Sequence, residues 1–213
     1  FINAIDLVGN MIERGQIDYG LIVDGESSRD VVESTVERLS RADCDAQTLR
    51  DQFATLTLGS GAAAMLLGHS RLAPEGHQYI GSVNLAATQH NQLCCGQLDG
   101  GVTDTTNLMI EGVALAERTW AAAIEEFGWT AESVDLFAMH QVSQVHTQRM
   151  AQSIGFSLER TVLLYPEYGN VGPASIPMVL SRALEQQRLN PGDRVVLGGI
   201  GSGLNCTAAH VLW

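Results

Sequence analysis

Apolar positions follow two rhythms along the chain. Phe1, Ile5, Val8 and Ile12 fall at helical spacing, so the chain opens on a helix. After a turn at 15–18, Tyr19 to Val23 reads as a buried strand ending at Asp24 and Gly25. Residues 29–54 are polar and charge-rich with weak helical character, an excursion rather than core. LTLGSGAAAMLLG, at 56–68, is a glycine turn entering a tightly packed strand of small residues. Arg71 to Gly76 form the one plausible boundary, and YIGSVNLAAT beyond it is another strand. The polar, glycine-rich stretch 88–105 reads as a long loop. From Thr106 to Phe127 the pattern is clearly helical, with Leu108, Ile110, Val113, Leu115, Ala116, Trp120 and Ile124 in one stripe.

Two apolar runs then dominate the pattern. DLFAM ends at His140 and Gln141; TVLLYPEY ends at Gly169 and Asn170. Each reads as a short buried strand followed by a helix, the second helix opening near Pro173 and reaching Arg188. Strands so arranged place the imidazole and the carboxamide at one edge of a parallel sheet, where open α/β folds put their sites. After a turn at 190–193, RVVLGGIGSGLNCTAAHVLW forms two strands around a glycine-rich bend. Two strand–helix–strand halves dividing near residue 75 give a layered α/β fold.

Composition narrows the function. A length of 213 residues buries a sizeable core, and 45% hydrophobic with 6% aromatic residues suits an α/β protein packed with small aliphatics. The net charge of −12 and the absence of any basic run speak against nucleic acid and anionic membrane surfaces as partners. No apolar stretch reaches spanning length, and no signal peptide is visible. Four cysteines without a C-x-x-C suggest thiols in a reducing, cytoplasmic setting. The first helix begins at Phe1 without a capping residue, from which the natural protein is expected to continue upstream.

Taken singly, the candidate groups stay ambiguous. His140 suits oxyanion donation or proton transfer, or capping the next helix. Asn170 is presented between Gly169 and Gly172, or is an ordinary turn residue. GGIGSG at 198–203 lacks the following helix of a dinucleotide site and reads as a tight bend with N–H groups facing the site. His140 and His146, six apart, do not share a helix face, so no metal pair is expected. Cys44, Cys94, Cys95 and Cys206 lack the setting that lowers a thiol pKa. The sequon at Asn205 lies in a core strand and is read as accidental.

Together, HQVSQVH, GNVGPASIP, LTLGSGAAAMLL and GDRVVLGGIGSGLNC, in that family's order, resemble the ketoacyl synthase III-type enzymes of the thiolase superfamily. With VDGES, the strings are most similar to the branch that condenses two fatty acyl-CoAs head to head. The resemblance implies a thiolase fold of αβαβα layers, residues 1–75 being the remainder of its N-terminal half and 76–213 its C-terminal half. It implies a homodimer, a Cys-His-Asn triad with His140 and Asn170 as two members, and the Ser202 backbone N–H as an oxyanion donor. The nucleophilic cysteine is expected two or three residues before Phe1, and a glutamate base from the partner subunit also lies upstream. Ile2, Ile5, Leu93 and Leu204 are candidate walls of an acyl channel. The substrate would be a CoA thioester, without metal or redox cofactor; an acidic chain suits CoA better than acidic acyl carrier protein. The rivals are a ketoacyl synthase III using malonyl carrier protein, a catalytically dead partner subunit and, last, a nucleotide-binding module.

Overall fold

In the computed structural model, residues 1–97 and 100–213 are described. The elements run α1 (Ile2–Glu13), β1 (Tyr19–Glu26), α2 (Arg29–Leu39), α3 (Ala46–Gln52), β2 (Gly61–Gly68), β3 (Gln78–Ala86), β4 (Cys94–Gln97), β5 (Gly100–Thr103), α4 (Thr105–Phe127), β6 (Leu136–Met139), α5 (Gln144–Ile154), α6 (Tyr165–Tyr168), α7 (Ser175–Glu185), β7 (Arg194–Gly201) and β8 (Asn205–Leu212), with short 3-10 turns between.

The central sheet has the order β3-β8-β7-β6, in which β6 and β7 run parallel and the other pairs antiparallel. Alternation along its strands sorts the core into two clusters. Phe137, Met139, Val196, Cys206 and Ala208 point to one face and meet α4 and α5. Leu136, Ala138, Val195, Leu197 and Ala209 point to the other, where α1 and α7 cover them. Both helices also touch the antiparallel pair β1–β2, whose Ile22, Met65 and Leu67 join the second cluster. The order of layers is therefore helix, sheet, helix, sheet, four of the five expected.

The structure departs from the sequence reading in four places. The strand at Tyr19–Val23 is not buried: Ile22 alone is in the core, while Leu21 and Val23 are 64% and 68% exposed. Its outer face, continued by Ala62, Ala64 and Leu66, is apolar and uncovered, so composition alone misjudged burial. The loop at 88–105 contains the antiparallel pair β4–β5; Leu98 and Asp99 within it lie outside the described residues. The stripe of α4 is narrower than its apolar pattern: Gly112, Leu115, Ala116, Thr119, Trp120 and Ala123 are buried, whereas Ile110 and Ile124 face outward. Finally, 161–164 is not a strand, for a reason that belongs to the site. No helix among the described residues is long and apolar enough to cross a membrane.

Candidate active site

All four residues of β6 are buried, and the ladder to β7 continues one step further, where the His140 N–H donates to Gly198 O at 2.8 Å. The chain then leaves the sheet. Ser143, not His140, caps α5, its Oγ accepting from His146 N at 3.3 Å. That removes the capping alternative and leaves the imidazole for the site. Nδ1 of His140 lies 3.1 Å from Gly172 O and 3.2 Å from Ser175 Oγ. Burial holds the His140 pKa below its ordinary value, and the bond to the Gly172 carbonyl opposes this only in part. The ring is neutral at neutral pH. In the tautomer with Nδ1–H on the carbonyl, Nε2 carries the lone pair; in the other, Nε2 carries the proton.

Gln141 explains the missing strand. Its side chain is fully buried, donates from Nε2 to Val162 O at 2.7 Å and accepts at Oε1 from Leu164 N at 2.8 Å. One side-chain amide thus does for 162–164 what a neighbouring backbone does in a ladder. Thr161 Oγ1 adds a bond to Phe137 O at 2.6 Å, and Arg188 donates to Thr161 O at 2.6 Å. The segment runs beside β6 without pairing to it. The apolar pattern of a buried strand was present; the polar residue that replaces the ladder was the sign against it.

Beyond α6 the backbone of Asn170 is clamped from both sides. Its N–H donates to Thr57 O at 2.9 Å and its O accepts from Gly59 N at 2.8 Å, a parallel bridge to Leu58. A Cβ at position 59 would sit 1.7 Å from Tyr168 O, so glycine is required for this approach. Asn170 Oδ1 accepts from Gly172 N at 3.1 Å, which turns the Nδ2 donor face of the amide away from the backbone. Gly172 itself has φ +55°, and its Cα faces the Glu26 carboxyl. One glycine therefore holds both candidate side chains, His140 through its carbonyl and Asn170 through its N–H.

A cavity of about 50 Å³ opens beside His140 on the α4/α5 side of the sheet, lined by Trp120, Phe137, Met150, Ile200 and Cys206 among others. His146 lines it too. The rings of His140 and His146 are 6.4 Å apart and meet edge to face, because His140 precedes α5 and the segment 141–143 folds one ring toward the other. Burial, with His140 adding to it, pushes His146 down to about 4. Its Nδ1 is buried and without a hydrogen-bond partner among the described residues. Burial raises the Cys206 thiol, so this cysteine stays protonated and inert. Among the described residues no group of three or more His, Cys, Asp or Glu side chains is placed to hold a metal ion.

The remaining candidates are dispersed. Ser202 sits in the β7–β8 bend, its Oγ donating to Cys94 Sγ at 3.3 Å. Ile2 and Ile5 are buried in the α1/α7 cluster, whereas Leu204 is buried in the α4/α5 cluster with Leu93 packed on it. The sheet separates the two pairs, and none of the four lines the cavity at His140. Sequence reasoning missed Ser175 and the Thr57–Gly59 clamp. The glycine of LTLGSG marked the latter, but its partner, more than a hundred residues away, did not show.

The layered sheets are those of a thiolase-type fold, and comparison with known proteins agrees. Residues 124–213 match the family described as 3-oxoacyl-[acyl-carrier-protein (ACP)] synthase III C terminal. Over its whole length the chain is similar to ketoacyl synthase III-like proteins of the thiolase superfamily. Over all 213 residues it is 48% identical to the acyl-CoA:acyl-CoA alkyltransferase of Xanthomonas campestris pv. campestris, spanning 63% of that protein's length. The enzyme of the same description from Shewanella oneidensis is 37% identical over 97% of the chain and 62% of its own length. A crystal structure of a cysteine-to-serine variant of Xanthomonas campestris OleA with bound lauric acid and lauroyl-CoA superposes with a TM-score of 0.98 at 48% identity, covering the whole chain and 63% of that structure.

Proposed function

We propose that the intact protein joins two fatty acyl-CoA thioesters head to head and releases a β-keto acid. One observation carries this reading: Gly172 holds the imidazole of His140 and the amide of Asn170 together, with Nε2 and Nδ2 as their outward faces. In the reaction a cysteine thiolate from outside these 213 residues takes an acyl group from the first thioester. The second thioester loses an α-proton to a base outside these 213 residues, its enolate attacks the acyl-enzyme and expels the cysteine thiolate, and water then cleaves the remaining thioester to release CoA and the β-keto acid. His140 and Asn170 stabilise the enolate oxygen, and the Ser202 N–H the tetrahedral oxyanion of the first carbonyl. Such N–H donors supply the charge stabilisation a metal would give, and no redox step occurs, so no cofactor is proposed beyond the CoA thioesters themselves.

The same reading takes residues 1–75 and 76–213 as parts of the two thiolase halves and the working form as a cytoplasmic homodimer. Lauroyl-CoA bound to the Xanthomonas relative supports long acyl-CoA as the substrate class. The match of the last 90 residues to a 3-oxoacyl-[acyl-carrier-protein] synthase III family supports the rival donor, malonyl carrier protein. Incubating the intact protein with myristoyl-CoA alone separates the two. A β-keto product supports the head-to-head reading; product only after malonyl carrier protein is added replaces it with the rival.

A further inference from the structure

Three atoms meet behind His140: Nδ1, the Gly172 carbonyl oxygen and the Ser175 hydroxyl. Ser175 opens α7 and is 1% exposed. Its Oγ is 3.2 Å from Nδ1 and 2.8 Å from Gly172 O. The carbonyl can only accept. Ser175 alone of the two neighbours can either accept or donate, because its O–H rotates. When the hydroxyl donates to Gly172 O, Nδ1 must carry the ring proton and Nε2 is a bare lone pair. When the hydroxyl turns to donate to Nδ1, the ring proton sits on Nε2.

We propose that Ser175 is a positioning residue that lets His140 hold its proton on either ring nitrogen, giving the site a proton acceptor for acylation and an N–H donor for condensation. The inference rests on the condensing reading above, whose two halves make opposite demands on Nε2. Forming the thiolate needs a lone pair there to take the sulfhydryl proton. Stabilising the enolate oxygen needs an N–H there. The neutral ring carries one proton in both forms. The second proton arrives at Nε2 from the thiol, the Nδ1 proton leaves to water, and the departing CoA thiolate is protonated from water, so charge and protons balance. The other titratable groups near the ring are His146 across the cavity and Glu26 beside Gly172. Among the described residues Nδ1 bonds Gly172 O and Ser175 Oγ and neither of these two groups, so the hydroxyl remains the switch between the two forms.

The test uses the intact protein with Ser175→Ala and Ser175→Thr. Alanine leaves Gly172 O as the remaining neighbour of Nδ1 and fixes the proton there. Acyl-enzyme formation from myristoyl-CoA, followed by intact mass, is expected at close to the wild-type rate, while condensation falls about tenfold or more, the worth of one hydrogen bond to a developing charge. Threonine keeps the hydroxyl and restores condensation. In ¹⁵N-histidine spectra at pH 7.5, the wild-type His140 signals should average the two tautomers, and the alanine variant should show Nδ1–H alone. Identical spectra for wild type and alanine variant overturn the proposal, as does equal loss of acylation and condensation. If the wild type makes neither acyl-enzyme nor product, the functional reading falls, while the tautomer spectra still decide the role of Ser175.

Discussion

His146 gives a quantitative handle on the site through acid stability. An ordinary histidine titrates near 6.5, and in the folded chain His146 is held at about 4 by burial and by the facing His140 ring. The unfolded chain therefore binds a proton in a range where the folded chain refuses it. Stability from this residue is complete above pH 6.5 and drains away as pH falls toward 4. A shift of this size corresponds to about 3 kcal/mol between pH 7 and pH 4. His146→Phe places an apolar ring in the same cavity wall and removes the titration. Urea unfolding of wild type and variant at both pH values isolates the effect, because the carboxylates titrate alike in both. The wild type should lose about 3 kcal/mol more than the variant on acidification. At pH 7 the variant should match or exceed the wild type, since a buried nitrogen without a partner has been removed. Parallel losses in the two proteins would show that His146 is solvated and that the cavity admits water freely.

Three further outcomes follow from single contacts. Gln141→Leu leaves Val162 O and Leu164 N buried without partners, and should lower unfolding free energy in urea by about 2–5 kcal/mol. Gly172→Ala adds a Cβ at φ +55°, 3.0 Å from the Glu26 carboxyl carbon; the protein should stay folded in circular dichroism, with a cost of about 1–3 kcal/mol, and lose condensing activity in the myristoyl-CoA assay. Arg160 donates one guanidinium nitrogen to Ala131 O, Glu132 O and Val134 O at 3.2, 2.6 and 2.6 Å, so Arg160→Met should lower the unfolding free energy by about 1–3 kcal/mol without changing acylation.

What could be read from residue order was whatever a local pattern dictates. The alternation in DLFAM and RVVLGG, the stripe of α4 and the glycine bend before Asn205 each gave a correct element, because each is decided by neighbours in sequence. His140 and Asn170 stood out as candidates because a polar residue ending an apolar run is a local signal, and both are held by Gly172. The failures were non-local. Whether Leu21 and Val23 are buried depends on what covers their sheet, which no window around them contains. The strand at 161–164 failed because Gln141, twenty residues earlier, supplies its hydrogen bonds. That the His146 ring faces His140 was not legible either, because His140 lies before the helix and escapes helical spacing. Ser175 carried no signal of its own: a serine opening a helix is common, and its meeting with Nδ1 exists only once α7 packs against β6.

The replacement of a ladder by one glutamine has a consequence for motion. A strand in a sheet is released only when a row of bonds opens together, whereas 162–164 is held beside β6 by the two ends of the Gln141 amide, with the Thr161 hydroxyl on Phe137 O next to them. That segment leads through α6 to Asn170. Opening at Gln141 therefore costs far less than global unfolding and leaves the sheet intact, so the Leu164 amide should exchange with deuterium ahead of those in β7 and β8. The exchange rate of that one amide reports how often the segment leading to Asn170 opens, readable without substrate.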